Sequence, residues 1–263
     1  MTPFDARDKG WLDHAAAQLQ VSGGQARTVA GDGSDPRCRQ GALAFCPEPD
    51  ILVTNVGGPP PGDFRDWEHE DWIRAPDLNM STPIAFMLAT VDGMIARWFG
   101  RIVNIVSSSV KAAIESLGLS NGARAGLVGF VADLARETVV ANVTINNILP
   151  GSFDTDRTRE NLEYPGKRAG KTVEEERARR NALILVGRAG SPAELGDLYA
   201  YLRFPNRCQA ACKAAGVPGI RAVIMPNSRW PSGSSRNALG SVVSPRPKCA
   251  TRRCGVSAGG QME

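Results

Sequence analysis

Histidine is almost missing from this sequence: His14 and His69 are the two present in 263 residues. Histidine is the side chain that ordinarily titrates near neutral pH, so a histidine-based hydrolytic centre has little to be built from. Long apolar runs are missing too. No stretch of about 18 consecutive apolar residues occurs, which argues against a membrane span. The opening "MTPFDARDKG" has no apolar segment after basic residues, so no secretory signal is visible and a cytoplasmic location is expected. Acidic residues vanish near the end: Leu198 to Met262 holds ten Lys or Arg and no Asp or Glu, while the first 197 residues hold 21 basic against 26 acidic. A basic tail can meet nucleic acid or anionic surfaces. This one has no repeat, aromatic ladder or nucleic-acid fold signature, so nucleic acid is not an expected partner. Of six cysteines, Cys208 and Cys212 form a C-x3-C pair and Cys249 and Cys254 a C-x4-C pair. The pairs are far apart and no histidine lies near them, so no metal site is expected. Without a secretory signal, disulfides are not expected either.

What is present is an alternation. With 42% hydrophobic and 22% charged residues, the composition is that of a globular protein. "DILVTNVGG" (50–58), "RIVNIVSSS" (101–109) and "VTINNILPG" (143–151) read as buried strands, and "QARTVAGD" (25–32) as a weaker one. Between them lie helical patterns: "WLDHAAAQLQ", "TPIAFMLATVDGMIARWF" and "GARAGLVGFVADLARETV". "KTVEEERARRN" is charged around most of its circumference and reads as a solvated helix or part of a flap. "SPAELGDLYAYL" has a helix start written into it, with Ser191 as N-cap, Pro192 first and Glu194 third. Strands and helices in alternation imply an α/β fold, a doubly wound parallel sheet covered on both faces. After Arg203 the pattern dissolves into Pro, Gly, Ser, Arg and Cys, so the chain divides into an ordered 1–202 and a loosely held tail, 203–263.

In an open parallel sheet, ligands bind beyond the carboxyl ends of the strands. Those ends carry Asp32, then Asn55 to Gly57, then Ser107 with Ser108, then Pro150 with Gly151. Small, polar or glycine residues at successive strand ends let a flat ligand approach the backbone. The same residues also serve plain purposes: Asp32 can cap a turn in "GDGSDP", Asn79 can satisfy nearby backbone, and Ser108 and Ser109 suit a turn.

From about Phe4 to Leu202 the sequence resembles the short-chain dehydrogenase/reductase family, in the style of its 3-oxoacyl-acyl-carrier-protein reductases. "DGSDP" stands where the family has an aspartate beside adenine, here Asp32. "ILVTNVGG" resembles the family's asparagine-asparagine-alanine-glycine strand end, with Thr54 and Val56 as departures. "DLNMS" resembles the helix with an active-site asparagine, here Asn79, and "VNIVSSS" the serine strand, with Ser107 in the catalytic register. "LPGSFDT" resembles the motif at the nicotinamide end, here Pro150, Gly151 and Thr155. The resemblance implies a Rossmann-like fold and hydride transfer between NAD or NADP and a carbonyl or secondary alcohol. The substrate would be a small molecule or acyl-carrier-linked, and the protein a homo-oligomer. It implies Asp32, Asn55, Gly57, Arg124, Pro150, Gly151 and Thr155 at the cofactor.

Two departures stand out. The family's tyrosine and lysine, four residues apart, become Ser120 and Arg124, counted thirteen residues on from Ser107. Serine is a far weaker acid than a phenol, and arginine keeps its proton; Arg124 can stabilise an oxyanion or hold an anion. Ser120 and Asn121 also suit the cap of the following helix. A proton could then come from Ser107, Ser120 or bound water. The second departure is at the ends. The sequence enters the family's pattern near its second strand, so the glycine-rich loop that holds pyrophosphate is not seen, and weak cofactor binding is expected. "SGG" at 22–24 is misplaced for that loop, and "VGGPPPG" has prolines without N–H groups. The family's final strand is also not expected in the basic tail. A misassigned start and a late frame change would account for both. The reading is thus an oxidoreductase with Ser107, Asn79, Ser120 and Arg124 in the active site, or alternatively a non-catalytic homologue that keeps the fold and oligomer interface.

Overall fold

The computed structural model describes residues 2–6, 9–21, 23, 25–202 and 220–224. Two parallel sheets form. Strands β1 (Thr2–Ala6) and β2 (Ala26–Ala30) pair with each other, flanking α1 (Lys9–Val21) in the chain. The larger sheet has the order β3-β4-β5-β6, from Ile51–Thr54, Gly100–Ile105, Val143–Leu149 and Ile220–Ile224. Each quoted strand segment thus forms a strand, because branched residues fit a pleated surface, which is almost wholly buried along β4 and β5.

β6 corrects the expectation for the tail. It pairs in parallel with β5, Ile145 opposite Ile220 through Leu149 opposite Ile224. The run "IRAVI" is five residues long, and the Pro, Gly, Ser and Arg around it mask its β-forming character. The rest of 203–263, with its basic residues and four cysteines, lies outside the described residues.

Helices cover both faces. On one, Met87, Val91 and Met94 of α4 (Thr82–Ala96) and Leu127, Val131 and Ala135 of α5 (Gly118–Thr138) pack on Ile102, Val143 and Ile145. On the other, Leu202 of α8 (Pro192–Leu202) packs with Val103 and Ile148. Inside the first layer a polar row crosses three strands: Thr54 Oγ1 donates to Asn104 Oδ1 (2.7 Å), and Asn104 Nδ2 donates to Asn147 Oδ1 (3.0 Å). These residues are directly paired in the ladders. Since a one-residue slip would bury these groups unbonded, the row fixes register.

α3 (His69–Pro76) runs through a π-helical turn, Asp77–Ser81, into α4. The combined helix His69–Ala96 is long and apolar enough to cross a membrane by length and composition. Its buried residues Met87, Val91 and Met94 instead form one side of the core. The remaining helices are α2 (Pro36–Phe45), capped by Asp35, and α6 (Asp156–Ala169) and α7 (Val173–Ala182) after β5. α8 starts as its sequence predicts: Ser191 N–H donates to Glu194 Oε2 at 2.6 Å, and Glu194 N–H donates back to Ser191 Oγ at 3.4 Å. The charged segment 171–181 forms α7, yet not wholly in solvent, because Glu176 is buried between Arg179 and Arg180.

Candidate active site at the strand ends

β3, β4 and β5 release their chains side by side, and short local structure then fixes each end. After β4, Ser107 caps a 3₁₀ turn, Ser108–Val110, by accepting the Ser109 N–H at 3.1 Å. No acceptor among the described residues takes the Ser107 hydroxyl hydrogen. Ser108 N–H donates to Pro150 O at 2.9 Å, which brings the Pro150-Gly151 end of β5 against the serine turn. Ser108 and Ser109 are turn residues, as their type allows.

Asn79 reaches the same place from the π turn. Pro76 and Pro83 bracket this turn and lack N–H groups, so the α-helical ladder cannot run through it. Asn79 is fully buried, and its Nδ2 donates to Gly57 O at 2.9 Å beyond β3. Its Oδ1 is buried with no donor among the described residues.

Arg124 lies beneath these ends. From α5 its Nε donates to Ser120 Oγ (3.1 Å) and its Nη1 to Ile105 O (3.2 Å) and Val106 O (2.7 Å). Nη2 donates to Val56 O at 3.2 Å. One guanidinium therefore ties α5 to the ends of β3 and β4. Burial, with the Arg157 charge nearby, pulls its pKa down to about 10, so it remains a cation at neutral pH. Ser120 is not the cap: α5 begins at Gly118 after Leu117, and Ser120 lies third in its first turn, where its oxygen accepts from Arg124. Asn121 instead donates from Nδ2 to Ile114 O at 3.0 Å.

The loop after β3 covers this pair. A first side-chain carbon at Gly58 would stand 3.4 Å from Arg157 Nη2, 3.6 Å from Ser120 Oγ and 3.9 Å from Arg124 Nη2. Arg157, absent from the residues singled out by sequence, donates from Nη2 to Gly58 O and Pro59 O, both at 2.8 Å. Gly57 and Gly151 are exposed, and a side chain at either would meet nothing within 4 Å. Asn55 is exposed beside them.

Asp32 and Thr155 hold local structure. The Asp32 carboxylate accepts the Ser34 N–H (3.0 Å) and hydroxyl (2.8 Å) in the turn after β2, which belongs to the smaller sheet. Thr155 caps α6, accepting from Thr158 N–H. The structure thus brings together Asn55, Gly57, Asn79, Ser107, Ser120, Arg124, Pro150 and Gly151. Asp32 stands in the turn after β2, in the smaller sheet.

Such an arrangement offers open backbone at two glycines, a hydroxyl whose hydrogen has no acceptor among the described residues, and a fixed cation below. It can receive a flat polar ring and stabilise negative charge developing on an oxygen. The profile of the short chain dehydrogenase family matches residues 5–165. A 3-oxoacyl-acyl-carrier-protein reductase of Vibrio cholerae is 30% identical over 172 residues, 65% of each chain, so the matched part spans just under two thirds of that relative. The acetoacetyl-CoA reductase of Cupriavidus necator is 34% identical over 157 residues, 59% of this chain and 58% of that one. Among solved structures, an actinorhodin polyketide ketoreductase with NADPH superposes with a TM-score of 0.74 at 24% identity, over 84% of this chain and 85% of that one. An NAD+-bound xylitol dehydrogenase gives 0.74 at 16% identity, over 86% and 88%. More than half of the sequence falls under that profile, and its parallel sheet takes the fold those structures share: the chain belongs to the short chain dehydrogenase family.

Proposed function

We propose that this protein is an NAD(P)-dependent oxidoreductase that interconverts a carbonyl and a secondary alcohol, in the manner of the 3-oxoacyl and acetoacetyl reductases it resembles. The observation that carries this reading is the convergence of Gly57, Ser107 and Pro150-Gly151 at three adjacent strand ends. The open glycines fit the flat, amide-bearing end of a nicotinamide. When bound, that ring supplies or accepts the hydride.

Ser107 is the residue placed to act on substrate. Its oxygen is held by the Ser109 N–H, leaving its hydrogen to donate to a substrate oxygen. Arg124 contributes its charge from below, across a buried and therefore weakly screened path, favouring an alkoxide over a neutral carbonyl. Ser120 serves as a partner of Arg124 rather than as a proton source, because it is buried beneath Gly58. Asp32 and Thr155 support the cofactor's adenine and nicotinamide ends from the turns they cap.

Affinity for the dinucleotide is expected to be weak. The segment beyond β3 has prolines at 59, 60 and 61, which carry no N–H to offer phosphate. A homo-oligomer in the cytoplasm, acting on a free or carrier-linked 3-oxoacyl compound, completes the proposal. The test is NADPH oxidation with an acetoacetyl thioester, comparing the natural protein with Ser107→Ala. Loss of turnover by about 10²-fold or more on removing the hydroxyl is the expected result. Equal turnover by both would remove Ser107 from the chemistry.

One observation favours the alternative, a non-catalytic homologue: Arg124 and Ser120 bond each other and the backbone, as a structural clamp does. Absence of turnover together with measurable cofactor binding would support it.

A further inference from the structure

The loop from Gly57 to Asp63 is gripped from above by α6. Arg157 in the first turn of α6 donates to Gly58 O and Pro59 O. Near the other end, Arg168 Nη1 pairs with Asp63 Oδ2 at 3.0 Å and donates to the Tyr164 hydroxyl at 3.2 Å. At about 100° per residue, the eleven positions between Arg157 and Arg168 make three turns plus roughly 20°, so both lie on one face of α6. Tyr164 falls on that face as well. From below, Gly62 N–H donates to Ser116 O at 2.9 Å, and the Trp67 ring fills the space beside Gly62 and Gly118. Ser120 and Arg124 lie under the loop held in this way.

We infer that α6 is a strap that holds the 57–63 loop shut over the Ser120–Arg124 pair, with Arg157 and Arg168 as its two fasteners. The bonds are of the right kind for a device that opens. The two arginine side chains are 43% and 59% exposed, so water competes for them and neither is a permanent lock. Arg157 also stands close enough to Arg124 for the charges to repel, and its one carboxylate partner among the described residues, Glu160 at 3.3 Å, is 63% exposed and holds it loosely. A carboxylate or phosphate at the crevice would bind Arg157 more strongly than the loop carbonyls do, drawing it off the loop. Opening would thus be coupled to arrival of an anionic group. Arg157 and Arg168 are in this sense positioning residues, acting through the loop. The proposal rests on the reading of this crevice as the active site, but the strap itself can be measured without ligand.

Hydrogen exchange of the whole ligand-free protein, followed by mass spectrometry, is the test. In Arg157→Ala with Arg168→Ala, amides of residues 57, 58 and 62–67 are expected to exchange roughly tenfold faster, the equivalent of about 1.4 kcal/mol. Amides of β4 and β5 should keep their rates. In the natural protein, raising salt from low concentration to about 1 M should speed the same loop selectively. That arm uses no substitution, so it stands even if the double variant does not fold. Unchanged loop exchange in a folded double variant, or loop exchange indifferent to salt, would overturn the strap. A negative cofactor titration would count against the oxidoreductase reading and leave these exchange rates unaffected.

Discussion

At the scale of single residues, Arg124 holds together separate parts of the chain, bonding Ser120, Val56, Ile105 and Val106. A lysine there would place one nitrogen where the guanidinium presents a planar fork, and could satisfy only some of the four acceptors. Arg124→Lys is therefore expected to lower stability by about 1–3 kcal/mol and Arg124→Ala by at least as much, the cost of leaving buried acceptors unmet. Denaturant unfolding checks this; a variant as stable as the natural protein would mean the crevice does not depend on the clamp. Gly100 gives a second prediction. An added carbon would approach Met94 Sδ to 2.6 Å and its Cβ to 2.7 Å in the core, so Gly100→Ala should cost about 1–3 kcal/mol. Gly57→Ala meets nothing within 4 Å and should unfold like the natural protein in the same denaturant series.

At the scale of elements, α8 has a start that responds to pH. Arg188 and then the Ser191 N–H hold the Glu194 carboxyl well below its ordinary value of 4.5, at about 2. The folded state thus prefers the ionised form, so the contribution is complete above about pH 4.5 and is lost as pH falls toward 2. First-turn amides of α8 should lose protection across that window, and Glu194→Gln should remove the pH dependence. Retention of the dependence in that variant would assign it to another group. The same helix shows what was legible in the sequence. Ser191, Pro192 and Glu194 are local signals, and the strands at 51–54, 100–105 and 143–149 announce themselves through runs of branched residues. α6 did not, since its polar face carries no apolar period and Pro165 interrupts it. α2 was hidden because Asp35-Pro36 reads equally as a turn. The candidate site was legible where spacing carries it, at Asn79, Ser107 and Pro150-Gly151. Arg157 was not: the i,i+3 pair with Glu160 looks like any surface pair, and the partners that tie it to the crevice are backbone carbonyls 98 and 99 residues away, which no side-chain pattern marks.

At the scale of the molecule, the larger sheet depends on a strand from the basic segment. β6 supplies β5 with a parallel partner along five residue pairs. Ending the protein at Leu202 would strip that partner away and leave a backbone edge beside the buried Ile145 and Ile148. The shortened protein is expected to melt at lower temperature and to aggregate; light scattering during a thermal ramp reads both, and an unchanged profile would show that β6 adds nothing. The family assignment and the crevice meet in the proposal that the strand ends at Gly57, Ser107 and Gly151 receive the nicotinamide end of the cofactor. Saturation-transfer NMR with NADH and NADPH tests it directly, because the method detects weak binding. Transfer to the nicotinamide ring protons is expected, with a dissociation constant weaker than about 0.1 mM. Loss of that transfer is expected in Gly151→Trp, where the first side-chain carbon meets nothing within 4 Å. No transfer at about 10 mM cofactor, or transfer that survives the tryptophan, would contradict it.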